Sequence, residues 1–129
     1  MPSADDVDYW NSPEKVGWLH SQGDHIKTWR RRWFVLKQGY LFRFSGPDVT
    51  ITSKPRGIVD LSKVQDVSDA REQTGKNNSL KLSTAQGHVC YIADSETELV
   101  EWLSALEGAV QKIVRAVAGV QDEPPPQPR

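Results

Sequence analysis

Lys27-Thr28-Trp29-Arg30-Arg31-Arg32-Trp33 sets four cations within seven residues, between two tryptophans, and Phe34-Val35-Leu36 follows as an apolar continuation. Aromatic and β-branched residues of this kind form a strand, and side chains alternate along a strand. Arg30, Arg32, Phe34 and Leu36 then share one face, and Trp29, Arg31, Trp33 and Val35 the other. The first face is basic where it begins and apolar further on. This suits a strand whose far end lines a core and whose near end lines an open, polar mouth. Guanidiniums two residues apart stand about 6.5–7 Å apart along a strand. Each is a planar fork that grips phosphate oxygens in pairs, so a ligand with several phosphates fits. The competing reading pairs the triplet with nearby acids for solubility alone. No acid lies between Asp24 and Asp48, so the local sequence supplies no such partner.

Charge along the chain points the same way. From Lys15 to Arg56 nine Lys or Arg face only Asp24 and Asp48, a net of +7, while the remainder carries −8 and the whole chain −1. Such asymmetry predicts a one-sided electrostatic surface. An acidic total with no reading helix argues against nucleic acid as partner. Catalytic chemistry finds no support. His20, His25 and His88 lack metal-ligand spacing, and neither CxxC nor HExxH occurs. His20, Ser21 and Asp24 are neighbours in sequence, but nothing marks a triad with its oxyanion hole. No enzyme activity, cofactor or metal is expected. Cys90 stands alone, which excludes an internal disulfide, and reads as a small buried residue.

These residues need elements to hold them. The 129 residues suit one domain. The expected division is a polar leader over 1–14, a folded domain over 15–119 and a proline-rich tail without helix or strand pattern over 120–129. The leader is expected to begin flexibly and to anchor through Trp10. Strands are expected from Gly17 to His20, Trp29 to Lys37, Tyr40 to Phe44, Gly57 to Leu61, Val64 to Val67, around Leu80 and Leu82, and from His88 to Ala93. Gln38-Gly39 reads as a tight hairpin turn. Residues 45–56 and 69–78 read as loops. One amphipathic helix follows, with Leu99, Trp102, Leu103, Leu106, Val110, Ile113, Val114 and Val117 on one stripe. Ser95 and Glu98 make its capping box, and Gly119 ends it. Trp18, Trp33 and Trp102 are assigned to core or barrel packing rather than to a ligand platform. The fold class is thus mainly β: seven antiparallel strands bent into a partly open barrel, capped by a C-terminal helix. No run of about 18 apolar residues is present, and the acidic start is unlike a signal peptide, so a cytosolic protein is expected.

Together, Gly17-Trp18-Leu19, the Lys27–Leu36 stretch, Pro55-Arg56-Gly57-Ile58-Val59-Asp60-Leu61 and the helix residue Trp102 resemble the pleckstrin homology family in order and spacing. The leader Tyr9-Trp10-Asn11-Ser12-Pro13-Glu14 and the short length are similar to that family's small stand-alone members in green plants. The resemblance implies a phosphoinositide headgroup site at the open end of the barrel. It assigns that site Arg30, Arg32, Arg43 and Arg56, with Lys27 and His25 in the closing loop and His88 from the seventh strand. Ile26 in the same loop is the candidate membrane contact. Ser21 stands where the family's tight binders carry a Lys. A lost ammonium–phosphate contact is worth about 1.5–3 kcal/mol, on the order of tenfold to a hundredfold in affinity, so modest binding is expected. The expected partners are phosphoinositide headgroups and anionic membranes, bound peripherally at the plasma or endosomal membrane by a monomer. The alternative is a protein-interaction adaptor with little lipid specificity.

Overall fold

Seven antiparallel strands form one sheet in the order β4-β3-β2-β1-β7-β6-β5, and a long C-terminal helix packs against its concave side. In this computed structural model the described residues are 2–23, 25 and 27–119. The tail over 120–129 and the expected membrane contact of Ile26 lie outside them. The strands are β1 (Lys15–Ser21), β2 (Arg30–Lys37), β3 (Tyr40–Phe44), β4 (Gly57–Asp60), β5 (Asp66–Asp69), β6 (Ser79–Thr84) and β7 (Gly87–Ala93). A four-residue helix α1 (Arg71–Thr74) joins β5 to β6, and α2 (Glu96–Val117) ends the fold. Gln38 and Gly39 both take positive φ in the β2–β3 turn, as a tight hairpin with the right twist requires.

Helix α2 forms where the apolar spacing places it. The Ser95 hydroxyl accepts from the Glu98 N–H at 3.1 Å, and Glu96 and Glu98 occupy the first turn, where the macrodipole favours them. Leu99, Trp102, Leu106 and Val110 are buried from it. They meet Leu19, Phe34, Leu36, Leu41, Leu80, Leu82 and Tyr91 from the inner face of the sheet.

A second apolar cluster lies on the outer face of β2 and β3: Val35, Tyr40, Phe42 and Phe44, covered by Val7 of the leader. The leader takes a 3-10 turn over Ala4–Asp6. Tyr9 packs on Phe42 and Phe44 and donates its hydroxyl proton to the Ser53 carbonyl. The anchor is thus Val7 and Tyr9. Trp10, expected in that role, stands edge-on to Tyr9 and half-buried.

Of the three tryptophans assigned to packing, Trp18 and Trp33 pair across β1 and β2 on the outer face, edge to face at 5.2 Å and half-buried, with Trp33 against the second cluster, and Trp102 is fully buried in the core. Three other expectations are corrected. The fifth strand begins at Asp66, because Leu61–Lys63 makes a 3-10 turn that inserts Leu61 and Val64 into the core as plugs. The 69–78 loop contains α1, whose start the Asp69 carboxylate caps through the Arg71 N–H at 2.8 Å and whose end is Gly75 at φ 70. Cys90 is half-buried on the outside of β7, since Tyr91 and Ala93 take the inward positions.

Candidate functional site

Strand register brings the basic residues together. Residues directly opposite in an antiparallel pair project from the same face. Ser21 lies opposite Arg30 and Leu19 opposite Arg32. Phe34 lies opposite Arg43, and Arg43 opposite Gly57. Leu19 and Phe34 are core residues, so Arg30, Arg32 and Arg43 project on the concave side, at the end where the core stops. Arg56 arrives just ahead of β4, its N–H donating to the Arg43 carbonyl at 2.7 Å.

These side chains line one cavity of about 350 Å³ with Ser21, Gly23 and His25. Arg30 is exposed, Arg32 half-buried, and Ser21 is 95% buried at the base. Two guanidiniums are tethered to main chain: Arg43 Nη2 donates to the Arg56 carbonyl at 2.9 Å, and Arg32 Nη1 to the Arg31 carbonyl at 3.0 Å. Each tether uses one of five N–H donors. Among the described residues, none of Arg30, Arg32, Arg43 and Arg56 forms an ion pair with an acid. A deeper recess of about 280 Å³ shares Ser21, Arg43 and Arg56 and reaches Phe34, Leu41 and Tyr91. Burial drives the Tyr91 phenol well above its usual pKa, with the Arg43 charge pulling the other way, so its hydroxyl stays neutral.

Arg31 behaves differently. Its guanidinium turns to the outer face, meets Asp94 at 2.6 Å and lies over the Trp18 ring, 4.3 Å from its centroid. The hydrogen bond from Arg31 holds the Asp94 carboxyl below the usual carboxylate range against a smaller desolvation effect, with Arg31 and His20 charge adding to it. The acid missing from the local sequence is supplied from 63 residues away, and it serves only the outward member of the triplet.

The seven residues assigned from sequence divide between two cavities. Arg30, Arg32, Arg43, Arg56 and His25 share the first. Lys27 and His88 line a second, of about 480 Å³, on the other side of the β1–β2 connection, with Trp29, Gln73, Thr74 and Cys90. The two share Gly23, and beside it the Gln22 amide donates to the Lys27 carbonyl at 2.5 Å and ties the connection across its neck. Gln73 and Thr74 escaped sequence reasoning because α1 is too short for a periodicity; Asp69 and Gly75, its caps, were the available signal. Burial raises the Cys90 thiol above its usual pKa, against a lowering by Lys81, which leaves it a weak nucleophile at neutral pH.

The PH domain family profile matches residues 13–111. The chain is 37% identical over 121 residues to Pleckstrin homology domain-containing protein 1 of Arabidopsis thaliana, covering 90% of this chain and 83% of that protein. It is 34% identical over 96 residues to PH domain-containing protein DDB_G0274775 of Dictyostelium discoideum, covering 73% of this chain and 20% of that one. Among solved structures, the C-terminal PH domain of pleckstrin in complex with D-myo-Ins(1,2,3,4,5)P5 superposes with a TM-score of 0.58 at 27% identity, covering 74% of this chain and 95% of that one.

Proposed function

The chain belongs to the PH domain family, and from that premise we propose that it is a non-catalytic module whose arginine cavity binds the phosphorylated headgroup of a phosphoinositide and so recruits the protein to an anionic membrane surface. One observation carries the reading: Arg30, Arg32, Arg43 and Arg56 converge on a single open cavity and, among the described residues, none is neutralised by an acid. Uncompensated guanidiniums in a concave mouth focus a positive potential and offer paired donors to phosphate. The inositol pentakisphosphate held by the pleckstrin domain supports the same ligand chemistry here. His25 lines the same cavity, and Lys27 extends the positive field from the adjoining one, which His88 also lines.

Ser21 at the base offers a hydroxyl and no charge, which sets the expected affinity as modest. The test is sedimentation with vesicles of phosphatidylcholine containing a few per cent of one phosphoinositide, across a panel of headgroups. Native protein is expected to sediment and an Arg30→Glu, Arg32→Glu double variant to stay in solution with its circular dichroism unchanged. Equal sedimentation of the two would sink the reading. Equal binding of the native protein to plain anionic vesicles would instead favour the protein-interaction adaptor.

A further inference from the structure

Gly57 opens β4 directly opposite Arg43. Its φ lies outside the left-handed region, so the backbone there does not call for glycine, and glycine in a strand is unfavourable without a reason. The reason is on its inner face. A Cβ at position 57 would stand 3.0 Å from Arg43 Cζ, 3.1 Å from Nη2 and 3.3 Å from Nε. The bare Cα lets the guanidinium lie flat on β4, where Nη2 reaches the Arg56 carbonyl at 2.9 Å. A methyl there would press the guanidinium out of this pose by a few tenths of an ångström.

From this we infer that Gly57 is a positioning residue for Arg43: its missing side chain is the seat that holds the guanidinium, preorganised, on the wall of the phosphate cavity. The inference rests on the headgroup-binding reading above and adds a determinant of affinity that touches no ligand. A preorganised group binds better because ordering it is not left to the binding step. The crowded atoms belong to the free end of a long side chain, so the guanidinium yields and the fold does not. Gly17 is the contrasting case. A Cβ there would stand 3.3 Å from the indole of Trp102, a fully buried ring with nowhere to go.

The experiment compares native protein, Gly57→Ala, Arg43→Ala and the double variant, with Gly17→Ala as reference. Three readouts are thermal melting, calorimetric titration with soluble inositol hexakisphosphate, and the Arg Nε–Hε resonances without ligand. Gly57→Ala is expected to melt at or above the native temperature, because alanine restricts the unfolded chain more than glycine does. It is expected to bind about threefold to tenfold more weakly and to displace the Arg43 Nε–Hε signal. In the Arg43→Ala background the same change is expected to have no further effect on binding. Gly17→Ala is expected to lower the melting temperature. Native affinity in Gly57→Ala, an unmoved Arg43 signal, or an equal loss with and without Arg43 would each overturn the inference. If the native chain fails to bind the probe, the headgroup reading falls, while the Arg43 resonance still decides whether Gly57 seats the guanidinium. Should alanine at 57 impair folding, the fold rather than the guanidinium has yielded, and the inference is overturned.

Discussion

Three neighbouring arginines have two different jobs, and register alone separates them. Arg30 and Arg32 face the cavity with charge to spare, whereas Arg31 is spent on Asp94 and Trp18. Arg31→Ala is therefore expected to leave inositol phosphate affinity within about twofold of native, since an exposed outer-face charge is screened over roughly 10 Å, while Arg32→Ala weakens it on the order of tenfold or more; one calorimetric series checks both. The Arg31–Asp94 pair also fixes a pH dependence. Its carboxyl titrates lower folded than unfolded, so the stabilisation is complete above the ordinary carboxylate range and is lost as pH falls through the lowered folded value. Both side chains are more than a third exposed, so the coupling is of surface size, under about 1 kcal/mol. A double-mutant cycle on Arg31 and Asp94 by urea unfolding is expected to give that coupling at pH 7 and none at pH 2. A coupling that persists at pH 2 would show that a hydrogen bond to the neutral carboxyl, not the charge, holds the pair.

At the scale of elements, the parts with strong local codes were legible and the parts set by tertiary contact were not. The β2–β3 hairpin, with Gln38-Gly39 between apolar runs, and helix α2, capped by Ser95 and buried along Leu99, Trp102, Leu106 and Val110, follow from sequence and stand where expected, whereas Val114 and Val117 at the end of the expected stripe are exposed. So does the inward set Arg30, Arg32, Phe34 and Leu36, because alternation with a period of two leaves no other assignment once Phe34 and Leu36 are core. The fifth strand and Val64 misled because a single buried valine looks the same as a strand residue or as a plug after a 3-10 turn. Size alone does not say which packing a tryptophan takes: Trp102 fills the core, whereas Trp18 and Trp33 pack on the convex face. The division of the seven site residues between two cavities was out of reach, since the path of the β1–β2 connection is not a local property. Helix α2 invites a direct test. Ser95→Ala removes the acceptor of the Glu98 N–H and is expected to cost about 1 kcal/mol in chemical denaturation. Trp102→Ala empties the centre of the core and is expected to cost about 3–5 kcal/mol, a large share of a small domain's total.

At the scale of the molecule, charge and apolar surface are both arranged by pole. The protein is slightly acidic overall, yet four of the nine cations between Lys15 and Arg56, namely Arg30, Arg32, Arg43 and Arg56, converge on the expected docking face. Vesicle binding is expected to fall steeply between 0.05 and 0.5 M salt, as the screening length shrinks from more than 10 Å to under 5 Å; insensitivity to salt would place the contact on an apolar surface instead. The leader is structural cover, with Val7 98% buried on the outer sheet. Val7→Asp is expected to cost at least about 2 kcal/mol and to lower the melting temperature without touching the cavity. At the far end, Pro2, Glu14, Gln38, Gly39, Lys112 and Val117 border one cleft. Strand β1 starts beside that cleft at Lys15 and ends in the cavity at Ser21, a separation of about 20 Å at 3.3 Å per residue. Residue 2 and the last turn of α2 thus depart from the pole remote from the arginines. Cargo attached at residue 2 or just after the last turn of α2 would hang clear of a bilayer gripped at the cavity, and a dye at either position would serve as a ruler of the domain's stance.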